Sequence, residues 1–138
     1  MKYSMPVSKT DAYGKTTLSI SRKHAVKVCR AINRKKLDVA KDLLSNLIAM
    51  KRDLRGKYYT KAAKEILKTV KDVEHNAKQK NLDLENLLVY ASANKGVTQY
   101  RLRRKSKHGK KMKITNIQII LRGKNGGGKE VRKGSDKK

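Results

Sequence analysis

No Asp or Glu occurs between Glu85 and Glu130, and the middle of that stretch is strongly basic. Arg101 to Lys113 reads Arg-Leu-Arg-Arg-Lys-Ser-Lys-His-Gly-Lys-Lys-Met-Lys, with eight Lys or Arg among thirteen residues. Two runs with the period of a β-strand flank it. From Leu87 to Ala93, the residues Leu87, Val89, Ala91 and Ala93 fall on one face. From Ile114 to Leu121, the residues Ile117, Ile119 and Leu121 do the same. Period-two alternation with β-branched residues marks strands. The pattern predicts one long β-hairpin, over about 87–121, with a basic tip.

An extended arm from Leu87 to about Lys105 spans roughly 60 Å at about 3.3 Å per residue. A compact domain of this size has a radius of gyration of only about 13–14 Å. A hairpin formed at full length therefore projects into solvent or into a partner. The alternative is a disordered basic loop or a localisation signal. A partner that orders the loop reconciles the two.

Composition narrows the partner. The chain has 138 residues, which favours a single domain. Its net charge is +26, from 37 basic and 11 acidic residues. Such a charge repels itself in the compact state and attracts polyanions. Nucleic acid comes first and an anionic membrane second. With no Trp or Phe, only a small core is available. One cysteine, Cys29, excludes an internal disulfide and a Cys-pair zinc site. The N-terminus carries no apolar signal core, and no run approaches the roughly 18 apolar residues of a membrane span. Neither secretion nor membrane insertion is expected.

Residues 1–14 lack periodicity and read as a flexible N-terminal arm. Lys15 to Ile20 reads as a short strand, with Ser21 as N-cap of a helix from Arg22 to Ala31. Its apolar side holds Ala25, Val28, Cys29 and Ile32. Asn33 to Lys36 breaks that helix. A second helix covers about Asp38 to Met50, capped by Asp38, with the stripe Ala40, Leu43, Leu44, Leu47 and Ile48. A third, with Thr60 as N-cap, carries Ala62, Ala63, Ile66, Leu67, Val70, Val73 and Ala77 up to about Lys80. The Gly- and Lys-rich residues 123–138 read as a disordered basic tail. The expected fold is α+β: three helices packed on a small three-stranded antiparallel sheet, with the long basic hairpin protruding. Residues 15–122 form its single domain.

Candidate catalytic groups are sparse. Asp72, Glu74 and His75 lie close together on the third helix, but only Asp72 and His75 share a side. A solvated helix face is the simpler reading. His24, His75 and His108 lack metal-ligand spacing. Cys29 sits on an apolar stripe, as a small buried hydrophobe does. Gly126 to Gly128 precedes Lys129 without the pattern of a phosphate-binding loop. No enzyme site, metal or cofactor is expected. The cations remain, since Lys and Arg neutralise phosphates and Arg also stacks on bases. Tyr100 either stacks on a base or packs across the hairpin. Lys57, Tyr58, Tyr59 and Lys61 form a second basic-aromatic patch, in which a tyrosine alternatively staples the start of the third helix.

Several motifs in this order resemble a known family. Ser21-Arg22-Lys23-His24-Ala25-Val26 is similar to its Ser-Pro-Lys-His-Ala-Val helix start. Lys61-Ala62-Ala63 and Asn76-Ala77 are similar to its Lys-Ala-Ala and Asn-Ala steps. Leu82-Asp83-Leu84-Glu85-Asn86-Leu87 resembles its Leu-Asp-x-x-x-Leu approach to a hairpin. Asn94-Lys95-Gly96 and His108-Gly109-Lys110 resemble its strand bend and tip. The family is the universal large-ribosomal-subunit protein numbered twenty-two in bacteria and seventeen in eukaryotes, here in its archaeal form. The likeness covers about residues 15–122. Arg22 replaces the helix-start proline, the connection at 51–57 is shorter, and the tip is richer in Lys.

The resemblance implies a non-enzymatic, cytoplasmic constituent of the large ribosomal subunit. It implies rRNA, neighbouring large-subunit proteins and the nascent polypeptide as partners, a role in subunit assembly, and a hairpin lining the peptide exit tunnel. With the basic segments, it marks Arg22, Lys23, His24, Lys57, Lys61, Lys95, Tyr100, Arg101, Arg103, Arg104, Lys105, Lys110, Lys111 and Lys113 as the rRNA-binding set. Lys107, His108 and Gly109 form the expected tunnel-lining tip. Two other classes remain open: a generic architectural DNA- or RNA-binding protein, and an RNA-directed enzyme using Asp72 and His75.

Overall fold

The computed structural model describes residues 3–103 and 105–123. Strand β1 runs Ala12–Leu18 and helix α1 Arg22–Ile32. A two-residue strand, β2 at Lys35–Lys36, leads directly into α2 at Leu37–Ile48. Helix α3 spans Thr60–Gln79. Strands β3 at Leu87–Lys95 and β4 at Thr115–Gly123 follow, with single 3-10 turns at Leu84–Asn86 and Lys105–Lys107. The fold is α+β. Helices α1 and α3 lie against the sheet, and α2 packs on α3.

The sheet has four strands among the described residues, in the order β1-β4-β3-β2, with every neighbour antiparallel. This corrects the expectation of three. The added strand lies in the Asn33–Lys36 break. Arg34 takes a left-handed φ of 60° and donates its N–H to the Val89 carbonyl at 2.7 Å. The chain then pairs Lys35 with Val89 and Lys36 with Leu88 before α2 begins. Two residues are too few to show an alternation.

The apolar patterns fall where the core requires them. Val89, Ala91 and Ala93 stand opposite Leu121, Ile119 and Ile117 in the β3–β4 register. This face meets the stripes of α1 and α3, with Ala25, Val28, Cys29, Ile32, Ile66, Val70 and Val73 buried. Helix α2 adds Leu37, Ala40, Leu43, Leu44 and Leu47. Helix starts differ in detail from expectation. Ser21 stands at the N-cap of α1, but its hydroxyl makes no capping bond. Asp38 lies inside the first turn of α2, where a carboxylate favours the helix dipole. Tyr59, at a left-handed φ of 50°, takes the cap position expected for Thr60.

The N-terminal segment departs most from its expected looseness. Strand β1 starts at Ala12, inside the expected arm, and ends at Leu18 rather than Ile20. Upstream, Met5 exchanges two hydrogen bonds with the Gln118 side chain: its N–H donates to Oε1 at 3.1 Å, and its carbonyl accepts from Nε2 at 2.8 Å. Asp11 is buried and pairs with Arg122 at 2.8 Å. Lys80 donates to the carbonyls of Asp11 and Lys9. Met5 and Asp11 thus sit against β4 side chains on the sheet face away from the helices. Asn116, Gln118 and Ile120 on that side of β4 are buried, so the central strand is covered on both faces. Gly123, the first residue of the expected tail, instead ends β4, and the rest of that tail, 124–138, lies outside the described residues.

Candidate nucleic-acid interface

Regular pairing of β3 with β4 stops at Lys95 opposite Thr115. Gly96 adds one bond, its N–H donating to the Ile114 carbonyl at 3.1 Å. Further out the arms touch intermittently. Met112 N–H donates to the Gln99 carbonyl at 2.7 Å, Arg101 N–H donates to that of Lys110 at 3.0 Å, and Tyr100 bridges Lys111. Gly109, at φ 70°, donates its N–H to the Arg101 carbonyl at 3.2 Å. The segment 96–114 is therefore a loop with partnered arms rather than a continuous ladder to the tip. Like charges opposed across strands destabilise pairing, and Arg101 faces Lys110 here.

Every side chain described from Val97 to Lys113 is exposed. The ion pairs among the described residues involve Lys41, Lys78 and Arg122, none of them in this loop. The loop's cations thus carry no internal counter-charge there. Lys105 and Lys107 lie in the outer 3-10 turn, and His108 and Gly109 follow it. Arg104 lies outside the described residues.

A second group of expected residues meets the base of this loop. Arg22 and Lys23, in the first turn of α1, share a cleft of about 420 Å³ with Met112, Lys113 and Ile114. Thr115 anchors this approach by donating its hydroxyl to the Ile20 carbonyl at 2.8 Å. His24 instead packs on Tyr59, with ring centroids 4.9 Å apart. Lys27 reaches the same ring and donates to its hydroxyl at 3.0 Å. Tyr59 is buried and its carbonyl accepts from Ala63 N–H, so the staple role falls to Tyr59 while Tyr58 is exposed. Lys57 and Lys61 are exposed at the start of α3, and neither lines the cleft of Arg22 and Lys113.

The acidic cluster of α3 is dispersed. Asp72 and His75 are exposed. Burial opposes ionisation of Glu74, but bonds and charges from Lys41 at 2.9 Å and Lys78 at 3.3 Å outweigh it and hold its carboxyl below the ordinary range. It ties α2 to α3. Burial pushes the Cys29 thiol up to about 12, so it stays protonated. The bond to Asp11 raises Arg122 further. Among the described residues no group of His, Cys, Asp and Glu could hold a metal ion, and no helix is long and apolar enough to cross a membrane.

The sequence pattern of the family described as Ribosomal protein L22p/L17e matches residues 13–122. The chain belongs to this family. The match takes in β1 apart from its first residue, all three helices, the loop and all but the last residue of β4. Members from archaea are similar over much of the chain. The large ribosomal subunit protein uL22 of Methanocaldococcus jannaschii is 35% identical over 146 aligned positions, covering 88% of this chain and 94% of that protein. The uL22 of Archaeoglobus fulgidus is 40% identical over 99, covering 57% and 64%. That of Methanosphaera stadtmanae is 40% identical over 101, covering 59% and 66%. In these last two the matched part is just under two thirds of the relative's length. L22p/L17e membership makes the chain a ribosomal protein, not an enzyme, and the archaeal character read from its motifs agrees with these relatives.

The loop also exposes apolar residues that lie outside the expected rRNA-binding set. Val97, Leu102 and Met112 are large, apolar and exposed, Leu102 at 87%. Their signal was present as apolar residues inside a stretch too charged to form a core.

Proposed function

We propose that this chain is a structural constituent of the large ribosomal subunit, acting in the cytoplasm, that binds rRNA and supports subunit assembly. One observation carries the reading: an acid-free loop whose described side chains from 97 to 113 are all exposed, held at its base by strands buried in the core. A net charge of +26 on 138 residues calls for a polyanion of comparable density, and rRNA supplies it. Family membership points to the same polyanion.

In this reading Lys95, Arg101, Arg103, Arg104, Lys105, Lys110, Lys111 and Lys113 neutralise phosphates along the projecting loop. Arg22, Lys23 and His24, with Lys57 and Lys61, hold rRNA against the helical side. The loop reaches the peptide exit tunnel, where Lys107, His108 and Gly109 border the passage and meet the nascent polypeptide. Neighbouring large-subunit proteins complete the surroundings. The test is a photo-crosslinker at position 108 in ribosomes bearing stalled chains. Capture of rRNA and nascent chain is expected. Capture of bulk cytosolic proteins alone, or sedimentation of the chain away from the large subunit, would overturn the reading. Equal affinity for duplex DNA and large-subunit rRNA would favour a generic architectural protein.

A further inference from the structure

The loop is not uniformly cationic. Tyr100, Leu102 and Met112, together with Thr98, Arg101 and Arg103, line an open groove of about 720 Å³. Tyr100 is 57% exposed, so the ring is not spent on cross-strand packing. The Tyr100–Lys111 bridge and the bond from Met112 N–H to the Gln99 carbonyl set the return arm beside the outgoing one and bring Met112 to the groove. Leu102 and Met112 are exposed as well, so three large side chains with apolar surface lie along one groove.

We infer that this groove is a seat for an unpaired nucleobase, with Tyr100, Leu102 and Met112 contacting the base and Arg101 and Arg103 its flanking phosphates. Charge complementarity selects the occupant. A second copy would bring another acid-free loop against this one, cation facing cation. An apolar peptide would leave both guanidiniums without counter-charge. A nucleotide meets both demands, since a base offers a flat π-face and its phosphates meet the arginines. A paired base in an A-form helix does not present that face, so the occupant is single-stranded, a bulge or a loop. The inference rests on the rRNA reading and adds that the loop discriminates bases from bare backbone.

The experiment uses the full chain and a fluorescent single-stranded RNA decamer, against a decamer of equal charge whose central nucleotides are abasic. Binding is measured across a salt series. The chain is expected to prefer the intact strand by ten-fold or more. The double variant Tyr100→Ala/Leu102→Ala is expected to lose roughly ten- to hundred-fold for the intact strand, the usual range for removing a stacking platform. Its salt slope should stay unchanged. Arg101→Gln should lower that slope by about 0.7, the value of one phosphate on a single strand. Equal affinity for the two decamers, or an unaffected double variant, would overturn the base seat while leaving rRNA binding intact. Failure to bind either decamer or rRNA would instead overturn the functional reading on which it rests. Concentration-dependent self-association abolished in Leu102→Ser would assign the groove to a second copy and overturn the proposal. Far-ultraviolet dichroism confirms that the variants fold, as expected for side chains outside the core.

Discussion

Gly96 stands where β3 leaves the sheet, and a methyl group there would lie 2.6 Å from Ile114 Cγ2 and 2.9 Å from the Ile114 carbonyl carbon. The second contact is with backbone and cannot swing aside. Gly96→Ala should therefore cost about 1–3 kcal/mol, the range for overpacking, measured as a lower denaturation midpoint at unchanged slope. An effect under about 0.5 kcal/mol would show that the loop base yields. Glu74 carries a different residue-scale effect. Its folded pKa is lowered, on balance, by Lys41 and Lys78 against the opposing effect of burial. A depressed carboxylate pKa contributes stability that is present above the unfolded value of about 4.3 and is lost as pH falls through the lower folded value. Glu74→Gln should be less stable than the parent by about 1 kcal/mol at pH 7. That gap should narrow below about pH 4.5. A gap constant down to pH 3 would mean that the ion pairs contribute nothing.

At the scale of elements, the N-terminal segment upstream of β1 covers part of the sheet without being a strand of it. Its two bonds from Met5 to Gln118 and the Asp11–Arg122 pair close the outer face of β4. Gln118→Ala removes both bonds and opens space beside Ile120. We expect a loss of about 1–2 kcal/mol and faster amide exchange at Met5. Full exchange protection at Met5 in the variant would show that other contacts hold the segment. The loop 96–114 is the opposite case. None of its described side chains from 97 to 113 is buried, so its removal costs the core nothing. Deleting Ser106 to Lys111 should leave the melting temperature within about 2 °C of the parent, because shifts scale with lost stability. A large drop would mean that the loop packs on the body.

At the scale of the whole molecule, charge sets two responses of opposite sign. A net charge of +26 destabilises the compact state through self-repulsion, which salt screens. Raising salt from about 0.05 to 0.3 M should therefore raise the melting temperature of the free chain. The same change should weaken rRNA binding, with log K falling against log salt by about 0.7–0.9 per phosphate neutralised. If six phosphates are engaged, the slope is about 4–5. A flat binding response would assign affinity to shape and apolar contact rather than to charge.

Much of the core was legible because it is periodic. The inward face of Leu87, Val89, Ala91 and Ala93, the face of Ile117, Ile119 and Leu121, and the stripes of α2 and α3 each repeat within a few residues. Burial of one face imposes that repeat, so local sequence records it. The acid-free run between Glu85 and Glu130 likewise needed no structure to be read, because charge without counter-charge cannot enter the core. Other features have no local period. Strand β2 is two residues long and follows a left-handed Arg34 whose N–H bonds the Val89 carbonyl. Met5 and Gln118 are 113 residues apart, and nothing near either announces the other. The start of α3 at Thr60 depends on Tyr59 lying between His24 and Lys27 of α1, contacts across the chain rather than along it. The groove of Tyr100, Leu102 and Met112 is of the same kind, since two arms must meet before three scattered side chains share one surface. Sequence by itself determined which faces are apolar and where the charge lies. Tertiary structure decided what covers those faces, because long-range contacts are selected by geometry that no short window of residues contains.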